Sequence, residues 1–529
     1  MQVLQFDQRN ALSAIGQQYL DQQLNDWVDF PPTMEGIDLA MQRQKMPSSQ
    51  RIALTDIWAS QYEPSAPQQE QIRQLRRENV FTVTTGQQLG LATGPAYTIY
   101  KIASTIALAR QHNQLHPESI LIPVFWLASE DHDFEEINHF ETRNGSFQWN
   151  APHGGPVGRM QTNGIVESLQ PWLEHLTKMG HDETAQMLIK SYHQTTLSEA
   201  FRKIIHTVFS QHELLVIDAD DRNLKALFAP IMWQELTEGF VTQSMQVSSK
   251  WFEEKGFKTQ VNPREINLFY QLDTMRKRIV RNDDTWTVLD TDFRWSQDEL
   301  KQELTNHPER FSPNVAMRPL YQETILPNLA YIGGPGELSY WLQLKPVFHA
   351  ASLRMPVLLL RDSAMVLSKQ AMQKWRKWGS EMALLQSSFE AEQRRVVQAE
   401  MVDLELEKKA IETIMNDLKR KLEPIEQSLA VAADMEWKKQ MQGLENLEKK
   451  MAKAIRLREE IKWQQLSKFF EEIKPNGEPQ ERHLNFFDLQ CVSKVPLAPL
   501  LVDHFDPLAH KMTVFMDDDL NTIEVESQR

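Results

Sequence analysis

Apolar and polar positions change period several times along the chain, and each change predicts an element. Residues 1–79 place apolar side chains at helical spacing around Leu20, Trp27 and Ile57-Trp58, punctuated by Pro31-Pro32, Pro64 and Pro67. They predict an N-terminal helical segment that packs on the core. At Val80-Phe81-Thr82-Val83-Thr84 the pattern becomes a short β-branched run bounded by glycine, which predicts a strand. An alanine-rich helix is expected from about Pro95 to Gln111, and a buried strand from Ile120 to Ala128. A strand, loop, helix and strand in this order make a βαβ unit, the building block of a parallel sheet.

The later pattern extends that core. Phe140 to Trp149 alternates around Asn144-Gly145 and predicts a hairpin. Residues 170–211 and Leu224 to Phe252 read as helical, with an apolar strand between them at Leu214 to Asp218. Runs at Ile266 to Leu272, Arg276 to Arg281 and Trp286 to Leu289 predict a β-rich insertion near 258–295. The sheet resumes at Leu329 to Ile332, passes through a helix at Leu338 to Ala350 and returns at Val357 to Leu360. The fold class expected for 80–380 is therefore α/β, a Rossmann-like parallel-sheet core.

Residues 381–474 change character: 19 acidic and 17 basic residues accompany a single glycine, Gly443, and a single proline, Pro424. Apolar residues at Val397, Met401, Leu404, Ile411, Met415, Leu418, Leu422, Ile425 and Leu429 alternate steps of four and three, interrupted at Lys408. That is a coiled-coil seam. A second series runs through Trp437, Met441, Leu444, Leu447, Met451 and Ile455, with Asp434 as the expected cap. The two predict a long antiparallel helical arm, kinked or broken by Pro424 near its tip. A stripe this long predicts a homodimer, against the alternative of a solvated hairpin. Residues 475–529 rejoin the core and end in expected edge strands, Thr513 to Met516 and Thr522 to Glu526.

Composition narrows the function classes. A formal net charge of −15 argues against a nucleic-acid partner, which needs a dominant basic surface. No run of ~18 apolar residues predicts a membrane span, and Met1 to Gln8 lacks the character of a signal peptide. The single cysteine, Cys491, fits a reducing cytoplasm and excludes a cysteine-rich zinc site. It reads as a structural thiol before a nucleophile.

Three motifs could carry chemistry. The first is Thr85-Gly86-Gln87-Gln88-Leu89-Gly90-Leu91-Ala92-Thr93-Gly94-Pro95, between a strand and a helix whose first turns carry Tyr97, Thr98 and Lys101. Glycines allow close backbone approach, and a helix N-terminus with a lysine can hold an anion; tight strand–helix packing is the competing reading. The second is Ala128-Ser129-Glu130-Asp131-His132-Asp133, at a strand's C-terminal end, where carboxylates can orient His132 as an acid or base or meet an amine or Mg²⁺. A helix cap through Glu135-Glu136 is the alternative. A zinc site on His132 and His139 lacks further evident ligands, so no metal site is expected. The third is Tyr331-Ile332-Gly333-Gly334-Pro335-Gly336-Glu337, where Glu337 either complements a helix dipole or binds an amine. Ser312-Pro313-Asn314 and Arg361-Asp362 are weaker contributors, and Arg276-Lys277-Arg278 reads as a solvated strand face.

Together these motifs resemble the family of bacillithiol biosynthesis cysteine-adding enzymes, as do Tyr97-Thr98-Ile99-Tyr100-Lys101, Val124-Phe125-Trp126-Leu127 and Gln480-Glu481-Arg482. The resemblance implies a Rossmann-like core related to class I aminoacyl-tRNA synthetases, with connecting-peptide insertions and a coiled-coil arm that makes a homodimer. It implies a ligase adding L-cysteine to glucosaminyl-malate, with ATP and Mg²⁺ as the expected source of an activated carboxylate. On that reading His132 and Asp131 are catalytic. Glu130, Asp133, Gly333, Gly334 and Glu337 bind substrate. Gly86, Gln87, Gln88, Gly94 and Lys101 hold the cofactor. Position 100 is tyrosine here and receives no catalytic role. Another adenylating or nucleotidyl-transferring enzyme and a non-enzymatic coiled-coil assembly protein remain open on the sequence alone.

Overall fold

The apolar runs form five strands, β1 (Val80–Gln87), β2 (Ile120–Leu127), β3 (Leu215–Asp218), β4 (Asn328–Gly333) and β5 (Val357–Leu360). The computed structural model describes residues 2–8, 12–61, 65–377, 387–493 and 495–516. It orders the strands β5-β4-β1-β2-β3, all parallel. The strands are rich in β-branched and aromatic residues and almost wholly buried, as a sheet covered on both faces requires. Ile122, Val124 and Trp126 point to one face, against N-terminal residues such as Leu54 and Trp58. Phe125 and Leu127 point to the other, against α1 (Tyr97–Leu115) and helices of 165–208.

The strand order decides where a ligand can sit. From β1 the chain adds β2 and β3 on one side, then returns to add β4 and β5 on the other. The switch point lies between β1 and β4, and open α/β sheets bind ligands beyond the strand C-termini there. The first and third motifs lie just after those two strands, and the second lies just after β2, next to β1.

Several elements differ from their expectation. Gln2–Asp7 forms a strand within a stretch read as helical. It pairs antiparallel with Lys511–Met516, which is the middle strand of a three-stranded sheet completed by Ser363–Leu367, not an edge. The second expected tail strand, 522–526, lies outside the described residues. The insertion is a five-stranded sheet that adds Arg294–Ser296 and Phe311–Pro313 to the three expected strands. Gly239, at φ 62°, divides the helix expected at 224–252 into two.

Residues 367–480 form a separate compact unit from 1–366 with 481–529. The arm is a hairpin of α3 (Glu405–Leu422) and α4 (Gln427–Arg458), and Pro424 lies in the turn between them. The first arm is shorter than expected: an extended Met401 separates the helix Phe389–Glu400 from α3. Lys408 occupies its seam position and pairs with Glu448 at 2.7 Å. Asp434 does not cap α4, which begins at Gln427; it meets Lys419 at 2.7 Å. Among the described residues, no helix is long and apolar enough to cross a membrane.

Candidate active site

Lys101 ties the switch point together. It lies one turn into α1, is 1% exposed, and points back beneath the end of β1. Its Nζ donates to Gly86 O at 2.5 Å, to Gln87 Oε1 at 3.2 Å and to Glu337 Oε2 at 2.6 Å. Glu337 stands in the first turn of a second helix, α2 (Pro335–Gln343), and also accepts from Tyr331 Oη at 2.6 Å and Gly334 N at 2.9 Å. Burial alone would raise its pKa, but Lys101 and the Gly334 N–H overcome that and hold its carboxyl low. Gly333 makes this return possible, because a Cβ there would lie 3.1 Å from Glu337 Cβ and 3.2 Å from the Tyr331 ring.

The second motif joins the first directly. Gln88 donates from Nε2 to Asp131 Oδ2 and to Glu136 Oε2, both at 2.7 Å. Asp131 Oδ1 accepts from the His132 backbone N–H at 2.8 Å and lies 3.5 Å from His132 Nδ1. Burial opposes ionisation of Asp131, yet bonds from His132 and Gln88 and the charge of Arg276 keep its carboxyl well below the usual range. His132 is exposed, so its ring is open to a substrate. Its Nδ1 is also 3.2 Å from Arg276 Nη1. With Nδ1–H directed at Asp131, Nε2 carries the lone pair of a base; with Nδ1 accepting from Arg276, Nε2 carries a proton. Asp133 is exposed and makes no side-chain cap to the short helix Phe134–Ile137.

Arg276 is thus not a solvated strand residue. It stacks on Phe269 at 4.0 Å and donates to Ser312 Oγ and Pro313 O, both at 3.0 Å, which gives the Ser312-Pro313 segment its part in the site. Strand alternation could not reveal this, because both faces of that strand mix charged and apolar residues.

A charged cluster lies beneath Glu130. Lys225 Nζ is 2.7 Å from Glu130 Oε1, without hydrogen-bond alignment, and 2.9 Å from Asp220 Oδ1. Arg159 grips Asp220 through Nε at 2.6 Å and Nη2 at 3.0 Å. Burial pushes the Glu130 carboxyl up, while Lys225 and Arg159 outweigh burial at Asp220 and hold it low. Ser129 Oγ donates to Asp218 Oδ1 at 2.5 Å. The acids that end β3 were visible in sequence; Arg159 and Lys225 carried no motif. Nor did Arg318, whose guanidinium lies 5.4 Å from the Tyr331 ring and 5.6 Å from the Trp341 ring, with Nη2 buried and without a hydrogen-bond partner.

Two expected anion-holding residues serve the fold instead. Gly94 is buried; its N–H donates to Leu91 O at 2.8 Å, and its carbonyl accepts from Asn485 Nδ2 at 2.8 Å. The Ala96 N–H at the start of α1 is taken by Leu484 O at 2.9 Å. Lys101 does neutralise a carboxylate, but it is the protein's own Glu337. Gly86 is buried beside Trp126, and Gln87 bridges Lys101 and Tyr97, its Nε2 lying 3.3 Å from Tyr97 Oη. The outer segments contribute a buried pair, Arg361 Nη2 with Glu481 Oε1 at 2.6 Å. Burial pushes the Cys491 thiol up to about 12, so it stays protonated and structural. Among the described residues, His132 and His139 belong to no group of three metal-ligating side chains.

Fold and site together define a Rossmann-like α/β protein with a carboxylate–imidazole–guanidinium cluster on the C-terminal rim of its sheet and a separate helical hairpin. Comparison with known proteins agrees. "Bacillithiol biosynthesis BshC, N-terminal Rossmann-like domain" matches residues 1–362, and "Bacillithiol biosynthesis BshC, C-terminal coiled-coil domain" matches 364–516. A protein named "Putative cysteine ligase BshC" from Flavobacterium johnsoniae is 37% identical over 515 residues, covering 94% of this chain and 96% of its own. Proteins of the same name are 36% identical in Cytophaga hutchinsonii, covering 92% and 94%, and in Christiangramia forsetii, covering 82% and 82%. The chain belongs to the bacillithiol biosynthesis BshC family.

Proposed function

We propose that this chain is a ligase that forms an amide between the carboxyl group of L-cysteine and the amine of glucosaminyl-malate, the last step of bacillithiol biosynthesis. The observation that carries the reading is the link from Gln88 to Asp131 and His132, which puts a candidate base on the same rim as the β1–β4 switch point. The names of the relatives supply the reaction, and the rim supplies groups suited to it. Asp131 orients His132, whose Nε2 would take the proton released as the amine attacks the activated carboxyl carbon, the C–N bond forming as the C–O bond to the activating group breaks and that group leaves with the oxygen. With Nδ1–H directed at Asp131 the Nε2 lone pair is free for that proton, and Arg276 is the competing donor at Nδ1. Arg318, with a free buried N–H, suits a substrate carboxylate. Glu130, Asp133 and the Gly333-Gly334 wall border the substrate.

Amide formation from a free carboxylate at neutral pH needs activation, and ATP with Mg²⁺ is the proposed source. Lys101, Gly94 and the start of α1, which were expected to cradle its phosphates, already spend their polar groups inside the fold. They do not fit that task. The test incubates purified protein with cysteine, glucosaminyl-malate and ATP and follows product by mass. Labelled pyrophosphate should exchange into ATP only when cysteine is present. Product formed without ATP would remove the nucleotide, and no product under any condition would remove the ligase reading.

The exposed apolar residues of the arm, among them Leu406 (80%), Ile414 (64%) and Met435 (62%), support a homodimer through the coiled coil. The lone cysteine supports a cytoplasmic setting.

A further inference from the structure

The far end of α1 carries a cluster that the rim does not use. His112 occupies the last turn of α1, and His116 is its C-cap. Asp38, on the helix Met34–Arg43, faces them. One ligand atom from each of the three side chains lies within 4.8 Å of the others. His116 Nε2 is 3.2 Å from Asp38 Oδ1, and its Nδ1 is 3.4 Å from Glu118 Oε1. The His112 ring lies 4.7 Å from that of His116.

One nitrogen here has no ordinary explanation. His112 is 0% exposed, and its Nε2 has no hydrogen-bond partner. Leaving a buried polar atom this way is costly, and proteins usually satisfy it with a water or another bound species. Its other nitrogen, Nδ1, lies 3.3 Å from Asn113 Oδ1. Donation from Nδ1 to that oxygen fixes the tautomer whose Nε2 lone pair is free, the form in which histidine ligates a metal. The contact of His116 Nδ1 with Glu118 repeats the arrangement, a carboxylate orienting a ligating imidazole.

We propose that Asp38, His112 and His116 form a binding site for a divalent transition metal, with zinc the best fit. Two imidazoles, one on the last turn of α1 and one at its C-cap, with one carboxylate give an N₂O set that borderline cations prefer and that Ca²⁺ and Mg²⁺ do not. The helix C-terminus adds negative potential. Tetrahedral ligands about 2.0–2.2 Å from zinc stand roughly 3.4 Å apart, so side-chain movement on the order of an ångström closes the set. The Asp38 and His116 side chains are 34% and 20% exposed, which leaves an entry path and room for water as the fourth ligand. The site lies at the N-terminal edge of β2, opposite the rim, so the metal would pin the Met34–Arg43 helix to α1 and take no part in ligation.

The test uses the full chain stripped with a chelator and titrated with Zn²⁺ by calorimetry, with Co²⁺ spectra as a second readout. One Zn²⁺ per chain should bind and raise Tm. His116→Gln and Asp38→Asn, both at partly exposed positions, should each weaken binding at least tenfold, and His112→Gln should abolish it. His132→Ala, on the opposite rim, should leave it unchanged. The absence of Zn²⁺ or Co²⁺ binding by the unsubstituted chain would overturn the proposal. So would a stoichiometric site that His116→Gln and Asp38→Asn leave intact.

Discussion

Replacing Lys101 by methionine tests whether the switch point is locked by one buried ion pair. Methionine keeps most of the stem volume and removes the charge. Three acceptors then lose their donor: Gly86 O, Gln87 Oε1 and Glu337 Oε2. The Glu337 carboxylate stays at a partly buried site, 25% exposed, with only Tyr331 and Gly334 N–H as partners. Breaking a buried pair from one side costs roughly 3–5 kcal/mol, and the partial exposure of Glu337 favours the lower end, about 3 kcal/mol. Glu337→Gln leaves Lys101 charged with two neutral acceptors and should cost about 2 kcal/mol. The double variant should cost less than the sum of the two by about 2 kcal/mol, because neither ion is then left alone. Urea denaturation followed by tryptophan fluorescence measures all four corners, since Trp126 and Trp341 lie within the core. Additivity within about 0.5 kcal/mol would refute the latch and return Lys101 to the pool of ligand-binding residues.

Three further outcomes rest on particular contacts. A Cβ at Gly158 would lie 2.4 Å from Ser129 Cβ and 2.5 Å from Ser198 Oγ. Gly158→Ala should therefore destabilise by about 2 kcal/mol, and an unchanged melting temperature would contradict that packing. Burial pushes the Asp362 carboxyl up to about 7, so it is protonated in the folded state between the unfolded value near 4 and about pH 7. The stability this group contributes is present at low pH and lost as pH rises through 7, by an amount on the order of a few kcal/mol. Asp362→Asn should remove that loss, flattening the melting temperature between pH 5 and 8; an equally steep decline in the variant would count against it. Ile414→Glu with Met435→Glu should shift the solution mass toward a monomer if the exposed arm face is the dimer contact, and an unchanged dimer would place that contact elsewhere.

What the sequence disclosed was local. The β1 loop, the acids after β2 and the glycines after β4 are contiguous, and each sits between a strand and a following segment that the apolar period marks. What it hid was pairing across the chain. Lys101 and Glu337 are 236 residues apart, and only the strand order brings them together. The strand at Gln2–Asp7 finds its partner at Lys511–Met516, too distant for any local pattern to suggest. Arg276 was obscured because a strand with arginine or lysine on both faces does not show which of them turns inward until its sheet is placed. The seam showed a further cross-chain pairing: Lys408 stands where the heptad calls for an apolar residue, and Glu448 on the facing helix supplies its complement.

The proposed chemistry depends on His132 as the group that takes the amine proton at the rim. His132→Ala, checked for an unchanged fold by circular dichroism, should lower the rate of cysteine addition to glucosaminyl-malate by about 10²–10⁴-fold while leaving the melting temperature within a degree or two, because the side chain is exposed and supports no core. Turnover at the unsubstituted rate in that folded variant would contradict the role given to His132.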